Sequence, residues 1–326
     1  MEKQIMRCEI ITPMFSSGMD RNKAELRAPE IKALMRYVYR IASNTLDTKD
    51  LYKKEAALFG DAEQHASPIR LQVIEQHSPI NTKREALLLH KPLEKLHKSS
   101  TSVECFLEGG KFDIVLRKFL SKGEDLRFYH NLLVLSLILG GLGKRSRRAR
   151  GCFALADEGV DTPYMTPVDL LPWVKEQLNL INGQAATSKK TYVFEDGKIT
   201  VHPNAKLNWN QHKRPVIEEI RLGHPITDMR SFLKRVDVAS HLIKKNYEPA
   251  NKHLFATGYV PDKKKGVKGR LASSLLISVT RTNDGQLFPI YTFVKAVVDP
   301  KKYAKALDID HAERNTMISY IEKGDL

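Results

Sequence analysis

The apolar positions of this chain change period several times along its length, and each change marks an element. Met6 to Thr12 alternates as a strand and ends at Pro13 and the polar loop SSGMDRNK. Ile31, Leu34, Met35, Val38 and Ile41 then recur at helical spacing, with Pro29 suited to the first turn. Leu51 to Phe59 predicts a short helix stopped by Gly60. Ile69, Leu71 and Val73 alternate within ASPIRLQVIEQ, and Ser102 to Gly110 (SVECFLEGG) predicts a further strand closing on a glycine turn. A helix from about Glu124 to Leu139 and a short strand from Cys152 to Leu155 complete the series. Strand, helix, strand, strand, helix, strand is the order of a ferredoxin-like or RRM-like domain. Asn81 to Thr101 stands outside it as an insertion.

Beyond Asp157 the pattern loosens. Pro163, Pro167 and Pro172 predict a linker into a helix around Trp173 to Leu180. Thr191 to Pro203 (TYVFEDGKITVHP) reads as a hairpin turning near Asp196 and Gly197, and Leu275 to Val298 as a second one turning at Asp284 and Gly285. Met229 to Lys245 and the last residues are helical in pattern. The expected architecture is α+β, with two ferredoxin-like (RRM-like) domains in tandem with insertions, residues 1–158 and 159–326.

Charge adds a partner to this picture. Lys and Arg number 53 against 38 Asp and Glu, a net charge of +15, which favours RNA or DNA over an acidic membrane. The longest apolar run, around Leu132 to Leu142, is well short of the ~20 residues that span a bilayer. MEKQIMRCEI has mixed charges and no apolar stretch of a signal peptide behind it. Cys8, Cys105 and Cys152 each sit alone in an apolar, strand-like segment, without metal-ligand spacing, as buried thiols do in a reducing cytoplasmic compartment. Neither a metal nor a cofactor is expected.

The cations are not spread evenly. Gly140 to Leu155 reads GGLGKRSRRARGCFAL, with Lys144, Arg145, Arg147, Arg148 and Arg150 set among Gly140, Gly141, Gly143 and Gly151 and no acid between them. Glycines allow positive φ and close approach of backbone N–H groups to a ligand, and guanidinium forks match pairs of phosphate oxygens. This loop is the expected phosphate grip. Lys32, Arg36 and Arg40 recur every four residues on the first helix, a like-charge stripe that a nearby anion would relieve. A second basic glycine segment, PDKKKGVKGRLASSLLISV, places Lys263, Lys264, Lys265, Lys268 and Arg270 before an apolar strand, as in a duplicated domain plan. Tyr37, Tyr39 and Phe153 lie beside these cations as candidate base-stacking rings.

TPMFSSG, ELRAPEIKALMRYVYR, EAALFGDAEQHASPIRL and GGLGKRSRRARGCF together resemble the signature blocks of the RAMP superfamily. The first two are similar to the first-subunit family of Cmr complexes, the type III-B CRISPR effectors. In the second half only GRLASSL resembles a family block. The chain departs from the pattern at Ala33, Val38, Tyr39, Ala149, Cys152 and Ser274, where glycine, tryptophans, glycine, serine and proline are usual. The resemblance implies two ferredoxin-like domains in a non-catalytic RNA-binding subunit of an RNA-guided ribonucleoprotein, near the guide's 3′ end. Its implied partners are CRISPR guide RNA, single-stranded target RNA and other RAMP subunits.

Two other classes stay open at this stage. A metal-independent ribonuclease needs a general base near a ribose 2′-OH, and His130, before the basic loop, is the candidate. A mainly structural assembly subunit needs no RNA contact at all. Asp308, Asp310, His311 and Glu313 (in DIDHAE) have the residue types of a metal site, though an acidic patch of this kind reads first as a solvated helix start. GLGKRS lacks the glycine spacing of a P-loop.

Overall fold

The computed structural model describes residues 2–75, 79–90, 102–120, 123–156, 165–184, 190–205, 212–247, 256–258, 271–296 and 312–323. The first half opens with β1 (Lys3–Ile10), α1 (Ala28–Ala42) and α2 (Thr48–Phe59). α1 has Pro29 in its first turn and buries Ile31, Met35, Val38 and Ile41; α2 is capped by the Asp47 carboxylate, which accepts the N–H groups of Lys49 and Asp50. β2 (Ile69–Glu75) follows, then a two-stranded sheet of β3 (Thr82–Ala86) and β4 (Ser102–Phe106). β5 (Lys111–Lys118), α3 (Leu126–Leu139) and β6 (Phe153–Leu155) complete this half. The main sheet has the order β2-β5-β1-β6, antiparallel throughout. That is the ferredoxin-like arrangement.

One expectation needs correction. The strand read at Ser102 to Gly110 does not enter this sheet; it pairs with the insertion strand β3. The third strand of the domain is β5, whose Phe112, Ile114 and Leu116 face the helices while Val115 on the other face is also buried. β1 and β2 pair with its two edges, so β5 is a central strand.

The second half contributes α4 (Pro167–Ile181), the hairpin β7 (Tyr192–Glu195) and β8 (Lys198–Val201), β9 (Ile217–Leu222), α5 (Met229–Tyr247), β10 (Leu275–Arg281), β11 (Leu287–Val294) and α6 (Ala312–Lys323). Pro167 starts α4 behind a Thr166 cap and Pro172 lies inside it, so two of the three prolines read as linker are helical. The sheet order is β10-β11-β9-β8-β7. In it β9, α5, β10, β11 and α6 follow the ferredoxin-like path, and β8, which precedes them, takes the place of a fourth strand. Both hairpins turn at the expected Asp-Gly pairs, with Gly197 and Gly285 at positive φ.

α3 is apolar all round, and every residue from Tyr129 to Leu139 except Asn131 is buried. It touches β1, β5 and β6 of the first sheet and β10 and β11 of the second. Neither core belongs to one half alone. The larger joins α1 and α3 to Ile217, Ile220 and Ile290, and the smaller joins α5 and α6 to Ile11, Ala149, Cys152 and Ala154. The three cysteines are buried, as read; burial pushes the Cys105 and Cys152 thiols up to about 12 and about 11. No described helix is long and apolar enough to cross a membrane.

Candidate nucleic-acid interface

The basic loop leaves α3 at Gly140 and returns at β6, and its backbone is tightly set. Gly143 has φ +80, and a Cβ there would lie 2.4 Å from the Phe15 carbonyl oxygen. Its N–H donates to Glu30 Oε1 at 2.8 Å, and the Lys144 N–H donates to Phe15 O at 3.0 Å. Gly141 packs against the Arg150 carbonyl, 2.6 Å from where a Cβ would stand. The glycines therefore serve close packing within the protein, and the Gly143 amide is already engaged.

The loop also crosses into the second half. The Ala149 N–H donates to Ile277 O at 2.7 Å and the Ile277 N–H to Arg147 O at 3.3 Å, a short parallel pairing that covers the edge strand β10. Arg148 is 6% exposed and donates at 2.9 Å to each of the carbonyls of Arg147, Leu275 and Ala256. Burial, then repulsion from Arg145, pulls its guanidinium down to about 9. Arg150 is 1% exposed and pairs through Nη2 with Asp237 Oδ2 on α5 at 3.0 Å. Arg145 pairs with Asp237 Oδ1, and the Leu89 N–H donates to Oδ2 at 2.8 Å. Asp237 is thus a buried hub joining the loop, the insertion and α5. Packing and internal hydrogen bonds account for Arg148 and Arg150.

Lys144, Arg145 and Arg147 remain partly exposed. Arg147 donates to Ser273 O at 2.8 Å and lies over the Tyr37 ring, its Cζ 5.1 Å from the centroid. Burial raises the Tyr37 phenol, and Arg147 and Arg40 oppose that from either side. The basic loop and the α1 stripe, more than 100 residues apart in sequence, therefore converge around Tyr37. The stripe has its anion inside the protein: Glu55 of α2, 5% exposed, accepts from Arg36 at 2.6 Å and lies 3.6 Å from Arg40. Lys32 donates to Ser67 Oγ at 2.7 Å.

Of the candidate stacking rings, Tyr39 and Phe153 are buried at 5% and 1% exposure. His130, the candidate general base, is 2% exposed; its Nδ1 is 3.2 Å from Asn131 Oδ1, and it borders a cleft of about 990 Å³ with Phe128 and Trp173, lined by none of the basic-loop residues. Lys263, Lys264, Lys265, Lys268 and Arg270 lie outside the described residues, as do Asp308, Asp310 and His311. Glu313 is buried in α6. Among the described residues, no three His, Cys, Asp or Glu gather to hold a metal. The residues that sequence reasoning missed are acids: Asp237, Glu55 and Glu30 each read as ordinary helix surface, and only their contacts, with Asp237 and Glu55 buried, show their role.

This fold and loop define a class. Residues 7–154, the greater part of the first half of the chain, match the RAMP superfamily model. Its whole length shares the fold of solved Cmr subunits. Cmr1 from Pyrococcus furiosus in its apo form is similar at 16% identity and TM-score 0.59, over 99% of this chain and 97% of that one. A chain of the type III-B Cmr-beta complex bound to cognate target RNA and AMPPnP, in the presence of ssDNA, matches at 12% identity and TM-score 0.61, over 99% of both. A chain of the same complex bound to cognate target RNA matches at 12% identity and TM-score 0.58, over 97% and 98%. No curated protein matches the chain in sequence.

Proposed function

We propose that this protein is a non-catalytic RNA-binding subunit of a type III-B CRISPR RNA-guided effector complex, acting in the cytoplasm beside other RAMP subunits and gripping guide or target RNA near the guide's 3′ end. The observation that carries the reading is full-length likeness to Cmr1 in a chain whose first half matches the RAMP superfamily model and whose cations converge on one surface. On that surface Lys144 and the accessible parts of Arg145 and Arg147 contact phosphates, flanked by Lys32, Arg36 and Arg40. Arg148, Arg150, Gly141 and Gly143 hold the loop in shape beneath them. The second basic segment, Lys263, Lys264, Lys265, Lys268 and Arg270, contributes further cations to the grip on RNA. Its continuation at Ser273 accepts a hydrogen bond from Arg147 of the first loop.

A ribonuclease reading places its base at His130, which is buried and borders a cleft lined by none of the basic-loop residues. The two readings separate in one experiment. Labelled single-stranded RNA is titrated with protein across salt in EDTA, by anisotropy, and the samples are run on a denaturing gel. Wild type leaves the RNA intact, and Lys144→Ala with Arg147→Ala makes the log–log salt slope shallower by about 1.4, at ~0.7 per phosphate on a single strand. Cut RNA in EDTA would replace this reading with a ribonuclease. Weak binding that ignores salt would make the protein an assembly scaffold.

A further inference from the structure

Beside the α1 stripe lies a cavity of about 400 Å³, lined among others by Lys32, Arg36, Tyr52, Phe59, Asp61 and His65. Its walls are built in advance of any ligand. Lys32 is steadied by Ser67, whose hydroxyl donates in turn to Ile69 O at 2.7 Å. Arg36 is fixed through Nε to Glu55 and through Nη2 to Gly60 O at 3.2 Å, with its Cζ 5.8 Å from the Phe59 ring centroid. The rim is a turn closed by one side chain: Asp61 Oδ1 accepts the N–H groups of Glu63, Gln64 and His65 at 3.0, 2.6 and 2.9 Å. Gly60, at φ +77, lets the turn fold back so closely that a Cβ would lie 2.7 Å from Ser67 N.

Asp61 also lies 2.9 Å from His65 Nδ1 through its other oxygen. Backbone N–H groups hold the Asp61 carboxyl far below its usual range, so it stays an anion and His65 donates to it through Nδ1. Nε2, on the opposite edge of the ring, is turned away from Asp61. At the mouth of the cavity stands Tyr52, 53% exposed on α2. An exposed aromatic face beside two cations and an oriented imidazole fits a ligand that is both planar and anionic. Every nucleotide is.

We infer that this cavity is a nucleobase subsite. One base of the bound RNA stacks on Tyr52, a polar edge of that base meets His65 Nε2, and a flanking phosphate lies on Lys32 and Arg36. The inference deepens the RNA-binding reading above and rests on it. It also moves stacking away from Tyr39 and Phe153, which are buried, to a ring that the periodicity of α2 leaves on its outer face.

The test uses the full chain, with an oligoribonucleotide and an abasic strand of the same length, compared by anisotropy. Tyr52→Ala weakens binding to the oligoribonucleotide roughly 5- to 140-fold, the range of one base–aromatic stack, with the salt slope unchanged. Tyr52→Phe keeps the wild-type affinity, and on the abasic strand Tyr52→Ala and wild type bind alike. The inference is overturned if Tyr52→Ala binds RNA as wild type does, or loses as much on the abasic strand as on the normal one. Wild type that binds RNA normally under either result leaves the broader function standing. Wild type that binds neither strand overturns both.

Discussion

Replacing Asp237 with alanine removes the acceptor of three donors at once. Asp237 is fully buried and Arg150 almost so, at 0% and 1% side-chain exposure, so the loss leaves a guanidinium without a counter-charge inside the protein. Breaking a buried pair in this way costs about 3–5 kcal/mol. The Leu89 N–H loses its partner too, at about 1 kcal/mol or more. Arg145, 24% exposed, turns to solvent and adds little. A total of about 4–6 kcal/mol corresponds to a fall in melting temperature of roughly 6–9 °C for a cooperative unit of this size, at about 2.1 cal/mol/K per residue, read by calorimetry or circular dichroism. Arg150→Met added to Asp237→Ala recovers at least half of the loss, because an apolar side chain in place of a buried charge is neutral or better. A single variant melting within about 2 °C of wild type, or a double variant no better than the single, would refute the hub.

Other outcomes follow from the same geometry. Gly151→Ala, at φ +67 with its Cβ 1.9 Å from the Leu142 carbonyl oxygen, costs at least about 2 kcal/mol, whereas Lys144→Ala changes the melting temperature by less than a degree or two while weakening RNA binding. His212 is held down to about 4, first by burial and then by Arg214 and Lys295. Its folded value lies below the ordinary 6.5 or so, so its contribution is complete above that pH and is lost as pH falls toward 4; the full loss is on the order of 3 kcal/mol, and His212→Gln flattens thermal stability across that window. Glu9 is lowered chiefly by its hydrogen bond from Arg281 across the two halves. That contribution, about 1 kcal/mol, is present above about pH 4.3 and fades on acidification, and Glu9→Gln abolishes it.

Much of this was legible in residue order. α1 and β2, both hairpins and α3 announce themselves because period, caps and turn glycines agree. β5 did not, since KFDIVLRK carries four charges in eight residues and its central place follows only from pairing on both sides. β9 is hidden for the same reason: IEEIRL looks like surface until Ile217 and Ile220 are seen in the core. In the basic loop the sequence shows where cations cluster and cannot show what they face. Ala149 illustrates the gap: it stands where the resembled pattern has glycine, and its φ is +57, in the left-handed region that glycine would occupy without strain. Asp237 lies 87 residues from Arg150, and no local spacing links them.

The pairing of the basic loop with β10 has a consequence for the order of events during synthesis. Arg148 and its acceptor on Leu275 are separated by 127 residues. At about 5–20 residues per second, that interval takes roughly 6–25 s of translation. Until it ends β10 does not yet exist and Arg148 lacks the Leu275 carbonyl it donates to, although the first sheet is complete early in the interval. The nascent chain thus carries its most cationic segment open to polyanions for many seconds. α5 supplies Asp237 for Arg150, and β10 then withdraws Arg148, which leaves Lys144 and Arg147 behind on the surface.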